Sequence, residues 1–113
     1  HWVFDGTGLQ DGQVLSGLLG YEVDRIFNPP PGTVALAHSR AGSGDSNMTI
    51  YTAQSGAIVF ATGSLQWSWG LDDFSVPALR SSRLHPAVQQ ITRNVLARLM
   101  TGGGLASKDA SGK

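Results

Sequence analysis

The sequence predicts an α/β arrangement: the C-terminal portion of a layered domain, with a β-hairpin, a few further strands and one C-terminal amphipathic helix. Three observations carry that prediction. Two β-rich runs, Met48 to Ala53 and Ala57 to Thr62, flank the short glycine-containing link Gln54-Ser55-Gly56, which is a hairpin signal. The second run is apolar on both faces, and such strands sit in the middle of sheets covered on two sides. A single helix with one apolar stripe, Pro86 to about Met100, follows; it cannot cover both faces of a sheet. Cover from outside this sequence is therefore expected, and the scarcity of charge agrees. Only 14% of residues are charged, against about 25% in an average domain.

Taken from the start, Trp2, Val3 and Phe4 read as a short strand or strand end, broken by Asp5-Gly6-Thr7-Gly8. An opening inside an apolar stretch reads as a cut from something longer. Leu9 to Leu19 is glycine-rich and reads as loop, with one helical turn at Leu15, Leu18 and Leu19. Gly20 to Ile26 alternates Tyr21, Val23 and Arg25 against Glu22, Asp24 and Ile26, an imperfect strand pattern. Asn28-Pro29-Pro30-Pro31-Gly32 stops it, because each proline biases its predecessor away from helix. Thr33 to Ser39 reads as a strand, and residues 40–47 (RAGSGDSN) as a flexible polar loop. After the hairpin, Leu65, Trp67 and Trp69 would share one face if the segment is extended, and Leu71-Asp72-Asp73-Phe74 reads as a turn. In the helix, Val88, Ile91, Val95 and Leu99 recur at helical spacing, Leu96 widens the stripe and Thr92 is its one polar member. Gln90, Arg93, Asn94 and Ala97 lie opposite. Pro86 suits the first turn and Gly102-Gly103-Gly104 the end. The expected division is residues 1–101 as a partial domain and 102–113 as a flexible tail or linker.

Composition excludes several functions. Eight basic and eight acidic residues cancel, and the two lysines, Lys108 and Lys113, lie in the tail. No basic stripe is left for nucleic acid. The longest apolar runs, such as Ala57 to Ala61, are too short to cross a bilayer. Without cysteine there are no disulfides, thiol nucleophiles or zinc-thiolate sites, and nothing follows about compartment. The partner expected is the remainder of the parent domain. Exposed apolar surface is expected around Ile58 and Phe60, with self-association into dimers as its outcome.

Candidate chemistry is sparse. Asp5-Gly6-Thr7-Gly8 has the wrong order for an aspartic-protease signature and no lysine for a phosphate loop, so it reads as a tight turn. His1, His38 and His85, even with Asp5, Asp72 or Asp73, show no metal-ligand spacing, so no metal site is expected. Ser39, His38 and Asp45 are the residue types of a hydrolytic triad, but the Gly-x-Ser-x-Gly elbow is absent. Glu22 is the only glutamate. A lone carboxylate in an apolar setting acts as acid or base; the plainer reading is an ion pair with Arg25 or another arginine. Trp67 and Trp69 form either a stacking platform for a sugar or aromatic ligand or packing at a core or domain interface.

Three blocks, His1-Trp2-Val3-Phe4-Asp5-Gly6-Thr7-Gly8-Leu9, Gly20-Tyr21-Glu22-Val23-Asp24-Arg25, and Val59 to Leu71, together with Ile91-Thr92-Arg93-Asn94-Val95-Leu96, resemble the C-terminal region of the N,N-dimethylformamidase large (beta) subunit-like family. The resemblance reaches to about Leu99. It implies a class I glutamine-amidotransferase-like α/β fold. It further implies a parent that is either an amidohydrolase, converting dimethylformamide to dimethylamine and formate, or one of the large, often secreted, bacterial proteins that share the region. The family enzyme holds iron with tyrosine and glutamate side chains; no motif places those ligands in this segment, so no cofactor is expected here and iron belongs to a full-length enzyme parent. Glu22, in the Gly-Tyr-Glu block, is the residue that the resemblance carries over as a pocket acid. Three functions therefore stand: an inactive piece of a dimethylformamidase-like domain that is mainly structural and supplies one pocket wall, a non-catalytic carbohydrate- or protein-binding module using Trp67 and Trp69, and an intact small amidohydrolase using Glu22.

Overall fold

The computed structural model describes residues 1–42, 44–74, 76 and 80–102. Its elements in order are a 3₁₀ turn Trp2–Phe4, strands β1 (Val34–Ala41), β2 (Gly44–Thr52) and β3 (Ile58–Ala61), a 3₁₀ helix Leu65–Gly70, and helix α1 (Pro86–Gly102). The strands form an antiparallel sheet in the order β1-β2-β3. Side-chain alternation along β2 buries Ser46, Met48 and Ile50 on one face. Against that face lie α1 and the two 3₁₀ segments, so the core consists of Val3, Leu18, Met48, Ile50, Trp67, Val88, Ile91 and Val95. This is an α/β arrangement with a small antiparallel sheet, one C-terminal helix and a 3₁₀ turn.

Three predicted segments fold differently. Trp2–Phe4 is a 3₁₀ turn rather than a strand. Three apolar residues carry too little periodicity to tell the two apart. Among the described residues no strand pairs with them, and the turn closes on itself: Phe4 N–H donates to His1 O at 2.9 Å and Asp5 N–H to Trp2 O at 3.1 Å. Gly20 to Ile26 forms only an isolated bridge, Val23 to Ser64. Its backbone groups divide between two neighbours: Leu65 N–H donates to Glu22 O and Asp24 N–H to Gly63 O, while Asn47 N–H donates to Asp24 O. A segment shared in this way extends no ladder. Of residues 40–47, expected as a flexible loop, Arg40 and Ala41 instead finish β1, and Gly44 to Asn47 begin β2. Ala41 pairs with Gly44, and Gly42 between the strands has φ +54. Their polar side chains find backbone partners, Ser46 Oγ on Gly63 O at 2.7 Å and Asn47 Oδ1 on Ile26 N–H at 3.0 Å, so polarity does not expel them from the sheet.

The hairpin Met48 to Thr62 forms as predicted, but β3 lies at the sheet margin among the described residues rather than in its middle. Ile58 and Phe60 pack partly buried against the core, and the exposed residues of β3 are Val59 and Ala61. Adjacent residues of a strand face opposite ways, and the core claims the even-numbered pair. Leu15, Leu18 and Leu19 lie in irregular, turn-rich chain with no helix, although Leu18 enters the core. In α1, Val88, Ile91 and Val95 are buried as predicted, whereas Leu96 and Leu99 are exposed. Among the described residues the sheet is three strands wide, and α1 packs against β3 and the two 3₁₀ segments, which take up Val88, Ile91 and Val95 and not the last turns. The expected tail meets the described chain only at its first residue, Gly102, the last of α1; the rest of it, with the glycine stop at Gly103-Gly104, lies outside the described residues.

Candidate functional site

The glycine-rich segment Leu9 to Leu19 cannot nucleate a helix or strand, because its glycines favour turns and its leucines have no period. It encloses a cavity of about 570 Å³ together with β1, β2, the stretch after β3 and the 3₁₀ helix. The inner surface is apolar: Phe4, Leu9, Leu15, Leu18, Met48 and Trp67. Its polar groups are the hydroxyls of Ser39, Ser46, Thr62 and Ser64, the imidazoles of His1 and His38, and Gln10, Asp11 and Gln13 from the glycine-rich segment. Most of these hydroxyls already serve the fold. Ser46 Oγ donates to Gly63 O, Thr62 Oγ1 donates to Ser64 O at 3.0 Å, and Ser64 Oγ accepts from Gly20 N–H at 3.2 Å and from Gln66 N–H at 3.3 Å, which caps the 3₁₀ helix. The cavity thus offers an apolar body with fixed polar points, the general make-up of a small-molecule site.

His38 Nε2 lies 3.4 Å from Asp45 Oδ1, and Arg40 Nε lies 4.0 Å from the same oxygen. Both partners of the first pair are about half exposed. The hairpin register creates the meeting, since Arg40 is opposite Asp45 and His38 is two residues away on the same face. Ser39 is opposite Ser46, and alternation along β1 sends its hydroxyl to the other face. The three residue types of a triad are near in space but not in line.

Glu22 is exposed and lies outside the cavity lining. The ion pair with Arg25 or another arginine does not form among the described residues. Its main chain is fixed, with Glu22 N–H on Gly20 O at 2.8 Å and Glu22 O accepting from Leu65 N–H at 3.1 Å. The preceding Tyr21 has φ +61 and is 85% exposed. A bulky residue in the left-handed region costs energy and is held there by its surroundings.

Trp67 and Trp69 do not share a face, because the segment is a 3₁₀ helix rather than extended. Trp67 is buried and its Nε1–H donates to Thr92 Oγ1 at 3.1 Å; Thr92 in turn donates to Val88 O at 2.9 Å. This explains the single polar residue in the helix stripe: it meets the indole N–H, which needs a partner once buried. Trp69 is half-buried. The Arg80 guanidinium sits 4.3 Å above its ring, and Tyr21 meets it edge-on at 5.5 Å. The structure thus separates the two tryptophans into one core residue, which also lines the cavity, and one member of a surface cluster with Tyr21 and Arg80. Sequence patterning misses the cavity and the Tyr21–Trp69–Arg80 cluster, since both join residues from aperiodic stretches; the one usable local signal was Ser64 ahead of the 3₁₀ helix, a cap residue type.

Among the described residues no three His, Cys, Asp or Glu side chains come together as a metal site. No described helix is long and apolar enough to cross a membrane. Comparison with curated proteins and with solved structures finds no match. A family model does match, over residues 1–83 of the 113, which include the cavity, the sheet and both tryptophans. The chain belongs to the N,N-dimethylformamidase beta subunit-like, C-terminal family.

Proposed function

We propose that this chain is the C-terminal portion of a dimethylformamidase-like domain, mainly structural, which contributes core strands, a closing helix and one wall of an amide-hydrolase pocket. The observation that carries the reading is the coincidence of the family match over residues 1–83 with an apolar, hydroxyl-rimmed cavity inside that stretch. A small dialkyl amide needs an apolar wall for its methyl groups and a few fixed polar contacts for its carbonyl. The remaining catalytic groups, including the iron of an enzyme parent, come from the rest of the parent polypeptide. Glu22 lies outside the cavity of this chain and serves as acid or base where the rest of the parent completes the pocket against it; its fixed main chain and exposed side chain suit a partner that docks onto it. The chain alone turns over no formamide. A secreted parent suits the bacterial proteins that share this region.

The test is dimethylamine release from dimethylformamide, by the 113-residue chain and by a longer polypeptide that carries the rest of the domain. Turnover is expected only in the second, and Glu22→Gln in it should lower kcat by roughly 10²–10⁴-fold. Hydrolysis by the short chain alone would refute the reading, and an unchanged kcat in Glu22→Gln would remove Glu22 from it.

A second reading, a non-catalytic carbohydrate- or protein-binding module, is favoured by one observation: Trp69 and the outlying Tyr21 form an accessible aromatic pair, although Trp67 is withdrawn from it. Quenching of indole emission by oligosaccharides, abolished in Trp69→Ala, would support that module over a hydrolase wall.

A further inference from the structure

We infer that β3 pairs with β3 of a second copy of this chain, antiparallel and about a two-fold axis at Val59. The inference stands apart from the proposed pocket, which no residue of β3 lines.

The phase of the ladder decides which backbone groups are open. Ala53 N–H donates to Ala57 O at 2.8 Å, and the same register sets Tyr51 opposite Val59 and Thr49 opposite Ala61. Ala57, Val59 and Ala61 therefore turn their backbone groups to β2, while Ile58 and Phe60 turn theirs to the sheet margin. Among the described residues no other backbone takes these groups up. Unpaired groups in a row are a template for another strand.

The two margins of the sheet are built differently. On β1 the register slips between Ala35 and Ala37, Arg40 adds charge, and three prolines precede the strand. These are the usual devices that blunt an edge. β3 has none of them: between Asp45 and Asp72 the chain carries no charged residue and no proline.

The occupant is specified by the order of side chains. Ala57-Ile58-Val59-Phe60-Ala61 reads alike in size from either end. Antiparallel pairing about Val59 sets alanine against alanine, Ile58 against Phe60, and Val59 against itself. The same axis makes Ile58 and Phe60 the hydrogen-bonded pairs, which are the residues whose groups are open. Side-chain order and hydrogen-bond phase thus select one register, and it is self-complementary, as a two-fold interface requires. The core face of each sheet is the face that carries its helix, so pairing continues both layers into a six-stranded sheet with two helices. One short strand buries less than the about 800 Å² per partner of a standard interface, so the association is weak and concentration-dependent.

The first measurement is the solution mass of the full 113-residue chain over a concentration series, expected to move from one chain to two. Val59→Lys places like charges at the axis and should hold the mass at one chain with an unchanged circular dichroism spectrum, as should Val59→Glu; mixing the two should restore the double mass. The chain has no cysteine, so Val59→Cys introduces its only thiol. Non-hydrogen-bonded partners sit about 4.5 Å apart between Cα atoms, within reach of a disulfide. Mild oxidation should therefore cross-link Val59→Cys into a dimer, and Ala57→Cys, whose thiol faces Ala61 of the copy, far less. A mass of one chain at every concentration, a doubled mass indifferent to Val59→Lys, or equal cross-linking of the two cysteine variants would each overturn the pairing.

Discussion

Gly63 stands where three stretches of chain meet. Its carbonyl accepts from Asp24 N–H and from Ser46 Oγ, its φ is +75, and a Cβ built on it would lie 2.3 Å from the Asn47 carbonyl oxygen. Two penalties therefore apply to Gly63→Ala, and they act together: the left-handed backbone, worth about 1–2 kcal/mol for an L-residue, and a clash with main chain that cannot rotate away. Loss of about 2–4 kcal/mol is expected, read by denaturant unfolding; a loss below half a kilocalorie would mean the contact is not formed. This glycine was visible in the sequence only as one turn residue among many. Glu22, Trp67 and Trp69 were recognisable as chemically unusual, but their settings were not. Whether a tryptophan is core or surface depends here on a 3₁₀ helix in place of an extended segment, and local preference does not distinguish those two over six residues.

Helix α1 shows what periodicity conveys and what it leaves out. The buried positions Val88, Ile91 and Val95 follow from spacing alone. The polar side, read as solvent-facing, includes Asn94, whose side-chain amide donates to Val3 O at 3.0 Å and to Asp5 O at 2.8 Å across 91 and 89 residues of sequence. Gln90 supports it, with Nε2 donating to Asn94 Oδ1 at 2.8 Å. Asn94 is thus the clasp between the two ends of the fold and not a solvated face residue. Asn94→Ala should cost about 1–2 kcal/mol, since it loses three side-chain hydrogen bonds, one of them exposed, and Asn94→Asp should cost no less, because a carboxylate cannot donate. A melting temperature in Asn94→Ala equal to that of the parent would show the first turn is held by packing alone. The hairpin was legible for the same reason as the helix, a period sustained over several residues; the pairing of β1 with β2 was missed because small polar residues conceal the strand ends.

At the scale of the molecule, regular elements account for only part of what ties the chain together. Residues 1–33 contribute no strand, yet they supply Val3 and Leu18 to the core and form the roof of the cavity. Their backbone bonds reach partners dozens of residues away, an arrangement that no local window of sequence reveals. Amide hydrogen exchange reports the opening of such bonds residue by residue, and the meeting point at Gly63 has a consequence for it. Asp24 and Ile26 belong to no strand, but their N–H groups are held by Gly63 O and by Asn47 Oδ1, and Asn47 N–H by Asp24 O. These amides should exchange as slowly as those of β2 and far more slowly than their loop neighbours. Gly63→Ala should release them together while the amides of α1 keep their protection. An exchange map would thus draw a phantom strand through residues 24–26, slow to take up deuterium although its shape is that of a loop.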